Sequence, residues 1–118
     1  MNEALVDHID SLTSAQSVLR WARETPHAIA VIETQFRYTY ADLAALIVKT
    51  AKVLRPSVTR PGALVGIECG SRYMHLVLVL ACECLGANTV SFVPPELTDD
   101  NELLPRCSLL CIEANNAS

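Results

Sequence analysis

The chain has 118 residues, of which 51% are hydrophobic and 19% charged, with a formal net charge of −4. This balance excludes an unfolded polar polymer, and the lack of a basic stripe to neutralise phosphates argues against nucleic acid as a partner. The longest apolar run, Leu76 to Cys82, falls far short of the ~18 residues of a membrane span, so no membrane partner is expected.

Ser11 to Glu24 reads as an amphipathic helix. Ala15, Val18, Leu19 and Ala22 share one face and Gln16, Ser17, Arg20 and Arg23 the other, and Pro26 stops it. Ala28 to Thr34 is a strand, and Arg37 to Thr39 returns as its hairpin partner, although the turn lacks an Asn-Gly or Asp-Gly signal. The clearest helix follows. Tyr40, Leu43, Ala44, Ile47, Val48, Ala51 and Leu54 form its stripe, Thr39 is the expected N-cap, and Asp42 is placed to reach back to the cap amide. Pro56 ends it. Pro61-Gly62 is a turn, and Ala63 to Cys69 is apolar enough for a strand covered on both faces. Ser71 caps another helix, apolar almost all round from Leu76 to Leu85 and closed by a left-handed Gly86. Asn88 to Val93 is a strand closed by Pro94-Pro95. Thr98 to Leu104 is expected as a short capped helix ended by Pro105, and Ser108 to Glu113 as a last strand. Strands alternating with helices imply a small, mostly parallel sheet flanked by helices, with right-handed crossovers and an N-terminal β-hairpin: an α/β fold in a single domain spanning 1–118. The polar ends, 1–10 and 114–118, are expected to be flexible.

Groups able to do chemistry are sparse. Gly62, Gly66, Gly70 and Gly86 match neither the dinucleotide fingerprint nor the P-loop, and serve turns and strand packing. Cys69, Cys82, Cys84, Cys107 and Cys111 include no CxxC pair, so they read as small core thiols of a reducing, cytoplasmic protein rather than zinc ligands. His8, His27 and His75 read as surface or capping residues; a Cys69–His75 nucleophile lacks an orienting third group. Asp99 and Asp100, with Glu96 and Glu102, read as a solvated acidic cluster and not a magnesium site.

Several segments, in order, resemble the N-terminal region of the adenylate-forming superfamily: acyl-CoA synthetases, luciferases and nonribosomal peptide synthetase adenylation domains. Ala28 to Thr34 resembles its early strand, and Tyr38-Thr39-Tyr40-Ala41-Asp42-Leu43 its "lTYaeL" signature. Arg60 to Ile67 resembles "kpGDrVai", and Leu78 to Ala81 with Leu85-Gly86-Ala87 its "alLA.lkaGA" helix and stop. Asn88 to Pro94 resembles "vtVPlyP", and Leu104 to Glu113 "rl…aklvit". Ala63 stands where the family usually has Asp, Ser91 where it usually has Pro, and Glu83 in a segment that often carries Lys.

In that family the ATP loop, the nucleotide contacts, the acyl pocket and the catalytic lysine all follow the segments matched here. Lys49 and Lys52, the only lysines, match no catalytic motif. The resemblance therefore assigns no catalytic, cofactor-binding or metal residue, no cofactor, and no activity to the chain alone. It implies a first lobe of a larger domain. The expected partner is the remainder of an adenylation enzyme, which this chain would complete as a split-enzyme or accessory subunit. The alternative is a non-catalytic scaffold, as a homodimer or a carrier-protein tether; a shortened product of a longer enzyme is a third reading.

Overall fold

The computed structural model describes residues 13–98 and 100–112 of the chain. The expectations for 1–10, for 114–118, and for His8, Asp99 and Glu113 lie outside the described residues. The chain divides into two compact units, Met1–Leu46 and Ile47–Ser118.

The first unit holds α1 (Ser14–Glu24), β1 (Ile29–Glu33), β2 (Phe36–Thr39) and the start of α2 (Tyr40–Leu54). The cap of α1 is Thr13, two residues later than the expected start at Ser11. Its hydroxyl accepts from the Gln16 N–H at 3.1 Å while Gln16 Oε1 accepts from the Thr13 N–H at 3.0 Å. This reciprocal box satisfies two amides that have no partner inside the helix. At the other end, the Thr25 N–H and hydroxyl both donate to the Trp21 carbonyl, closing the last turn before Pro26. Ala15 is buried, and the Trp21 and Tyr40 rings lie 6.4 Å apart. β1 and β2 pair antiparallel across the two-residue turn Thr34-Gln35, with an irregularity between Ile29 and Val31. Thr39 and Asp42 make the box expected of them, at 2.9 and 3.1 Å, and start α2.

α2 carries its buried stripe through Leu43 and Ile47 and passes at Leu54 into the 3₁₀ turn Arg55–Ser57. Pro56 sits inside that turn, where its missing N–H costs nothing.

The second unit is built on β3 (Leu64–Glu68), α3 (Arg72–Cys84), β4 (Asn88–Ser91) and β5 (Leu109–Ile112). The three strands form one parallel sheet in the order β4-β3-β5. β3 lies in the middle, which explains its apolar run: Val65, Gly66 and Ile67 are all buried. Val65 and Ile67 pack with Cys82 of α3, joined by Leu54, Val58, Leu78, Val79, Leu109 and Cys111. Each fully buried Val or Ile contributes about 1.5–3 kcal/mol of transfer free energy. Gly66 meets a different neighbourhood. A Cβ there would come within 2.9 Å of Leu110 and of Phe92, and within 3.1 Å of the Cys107 sulfur. The backbone of β3 is thus covered directly by the side chains of the β4–β5 segment. Ser71 caps α3 through the Met74 N–H at 3.2 Å, and Gly86 ends it at φ +72°.

The fold class is the expected one: α/β, a small parallel sheet with helices and a hairpin. One element is not. Thr98 to Leu104 forms no helix among its described residues. The Asn101 side chain competes with it: Oδ1 accepts from the N–H groups of Leu103 and Leu104, and Nδ2 donates to the Glu96 carbonyl. Side chains that bond the backbone locally offer an alternative to helix. Pro105 does not end a helix; it lies in the first turn of the 3₁₀ segment Leu104–Arg106. The segment from Phe92 to Ser108 therefore crosses from β4 to β5 through turns, including a second 3₁₀ segment, Pro94–Glu96.

Candidate functional site

In open α/β sheets, ligands gather outside the carboxyl ends of the strands where the strand order reverses. Here that place lies between β3 and β5, because β4 follows β3 on one side and β5 returns on the other. A recess of about 250 Å³ opens there, lined by Cys69, Met74, Leu78, Cys111 and Ile112. β3 delivers Cys69 just past its end, β5 delivers Cys111 and Ile112, and the first two turns of α3 supply Met74 and Leu78.

Among the described residues the lining is apolar and sulfur-rich, with no charged side chain. The Cys69 sulfur donates to the Ser71 carbonyl at 3.6 Å. Burial pushes the Cys111 thiol above its ordinary value. It pushes Cys82, behind the recess in the core, up to about 11, with a smaller contribution from Cys111. Thiolates are the nucleophiles and metal ligands, and burial disfavours that form here. The described lining can seat an apolar group.

The residues weighed from sequence are dispersed. The His75 Nε2 lies 2.6 Å from the Ser91 hydroxyl, so the imidazole is paired across α3 and β4 and not with Cys69. His27 is exposed in the loop before β1. The Glu96 Oε1 accepts from the Val93 N–H at 2.8 Å and shapes the loop. Asp100 and Glu102 are exposed, as are Lys49 and Lys52 on α2. Cys82 is buried and Cys84 exposed, in keeping with their places on different faces of α3. Among the described residues, no three His, Cys, Asp or Glu side chains converge as a metal site. Nor is any helix there long and apolar enough to cross a membrane. The recess itself was not foreseen, because it exists only once β5 is known to return beside β3.

Comparison with known proteins agrees with this architecture. The AMP-binding enzyme family profile matches residues 18–101, well over half of the chain. Among solved structures, the Klebsiella oxytoca NpsA N-terminal subdomain is 24% identical with a TM-score of 0.61, a likeness of fold, and the match covers 68% of this chain and 21% of that one. The nonribosomal peptide synthetase FmoA3 in its AMPPNP-bound form is 26% identical at a TM-score of 0.64, over 71% of this chain and 9% of that one. IdnL1 is 28% identical at a TM-score of 0.63, over 77% and 18%. No curated protein matches. The chain thus spans about a fifth or less of these solved relatives. With five resembling segments in order from the early hairpin to β4 and the family profile running across them, the chain belongs to the AMP-binding enzyme family.

Proposed function

We propose that this polypeptide serves as the opening lobe of an acyl- or aminoacyl-adenylating enzyme, inactive alone, and that it completes a partner protein carrying the remaining adenylation machinery. Adenylation requires a carboxylate to attack the α-phosphate of ATP while cations stabilise the developing charge. The described residues bring together no group suited to that work.

The observation that supports the reading is the state of β5. Among the described residues it pairs only with β3, so no described strand covers its other edge, and Ile112 at its end is 56% exposed. An apolar, open sheet edge invites further strand or covering chain. The small share of each relative that this chain spans points the same way.

The test has two arms. The protein alone, with ATP, magnesium and a panel of carboxylic acids, is expected to release no pyrophosphate above background; clear turnover overturns the reading. A polypeptide supplying the ATP loop and catalytic lysine is expected to co-purify with it in fixed ratio and to gain activity from it. Tight, concentration-dependent self-association by sedimentation, with no effect on such a partner, would instead favour a homodimeric scaffold.

A further inference from the structure

A second surface lies on the first unit. Between α1 and the start of α2 runs an open groove of about 560 Å³, lined by Gln16, Leu19, Arg20, Ala22, Arg23 and Ala44. Half-buried Leu19, Ala22 and Ala44 form its apolar floor, and exposed Gln16, Arg20 and Arg23 stand along it. These three follow the i, i+4, i+7 spacing, so they form a polar stripe about 10 Å long on one side of α1.

The charge of this stripe is opposite in sign to that of the chain. The chain carries a net charge of −4, yet among the described residues the charged side chains lining the groove are both arginines. Arg20 makes one contact, Nε to Glu24 Oε1 at 3.2 Å, and Glu24 is the acidic neighbour on that helix. Arg23 makes no hydrogen bond or ion pair with a described residue. A guanidinium with no partner among the described residues, beside an apolar floor, matches a ligand with a carboxylate edge and an apolar face.

We infer that this groove docks an amphipathic helix of a partner protein, with its apolar stripe on Leu19, Ala22 and Ala44 and acidic residues one turn apart facing Arg20 and Arg23. A groove between two helices accepts a third in this way, and the repeat of the arginines along α1 equals the repeat of one helix face. The surface does not depend on the adenylation reading.

The probe is a fluorescein-labelled helical peptide with Glu on successive turns of one face and Leu on the adjoining stripe. Its control carries Lys in place of each Glu. In anisotropy titrations the Glu peptide is expected to bind and the Lys peptide to bind at least about tenfold more weakly, a margin of the size two exposed charge pairs supply. The double variant Arg20→Glu/Arg23→Glu is expected to reverse that order. Both positions are exposed, so circular dichroism and melting should confirm an unchanged fold. Equal binding of the two peptides, or an order unmoved by the double variant, overturns the inference. So does sedimentation showing the groove closed in a dimer that the same variant dissociates.

Discussion

The Nε2 of His75 lies 2.6 Å from the hydroxyl of Ser91, fastening the first turns of α3 to the carboxyl end of β4. In the family pattern that the sequence resembles, proline is usual at the position of Ser91. Ser91→Ala is expected to cost about 0.5–1.5 kcal/mol, and toward the low end because the pair is exposed to water. Ser91→Pro should cost no more than that. The Phe92 N–H donates to the Ile67 carbonyl, so the ladder bonds to β3 run through Phe92 and its alternate partner, and the Ser91 N–H faces away from β3. Urea unfolding of both variants decides it; a proline variant much weaker than the alanine one would show that Ser91 donates to the ladder after all.

Gly66 admits no side chain. A Cβ would press at 2.9 Å on both Leu110 and Phe92, and Phe92 is itself buried. Gly66→Ala is therefore expected to destabilise by about 1–3 kcal/mol through overpacking. Adding Leu110→Ala should recover part of the loss, because Leu110 is partly exposed and provides one of the two contacts. If the double variant melts below both single variants, the close approach is not the cause.

Much of the fold was legible because the signals were local. Thr39 with Asp42, Ser71 before an apolar run and Gly86 after it are short-range devices, and each acts as its residue type dictates. The same locality misled at Thr98 to Leu104, where capping residues suggested a helix. The Asn101 amide instead bonds the backbone of Glu96, Leu103 and Leu104, and only the 3₁₀ turn from Leu104 forms there. The recess beside Cys69 and Cys111 was not legible at all. It depends on β5 returning beside β3, a pairing of residues some 44 positions apart that no local pattern encodes. Likewise Arg20 and Arg23 read as a solvated helix face until Ala44 of α2 was placed opposite them.

The hairpin turn carries a cost at Thr34, which sits at φ +58°. A β-branched residue is strained in the left-handed region, whereas Asn tolerates it and Gly is free there. Thr34→Asn is expected to stabilise the protein by about 0.5–1 kcal/mol, part of the roughly 1–2 kcal/mol that the left-handed conformation costs an ordinary residue. Thr34→Gly should gain less, since glycine loses more freedom on folding. Thermal melts of the two variants test this, and a drop in melting temperature for both would mean that the Thr34 side chain stabilises the turn in some other way.

Cys82 makes stability depend on pH in the alkaline range. Its thiol is fully buried, and burial first, then the charge of a neighbouring Cys111, raises its pKa from 9.0 to about 11. The folded state therefore holds the proton more tightly than the unfolded state does. Stability from this group is complete below pH 9, falls once the unfolded thiol begins to ionise, and is lost as the pH rises through about 11. Cys82→Ala should lower stability at pH 7, since it opens a small cavity beside Val65 and Ile67. It should also flatten the decline between pH 9 and 11 relative to the parent protein. Alkylation at pH 8 offers an independent reading: exposed Cys84 should react first and Cys82 only on unfolding. Parallel stability curves for parent and variant across this range would mean that Cys82 keeps an ordinary titration in the fold, and that the core around β3 admits water.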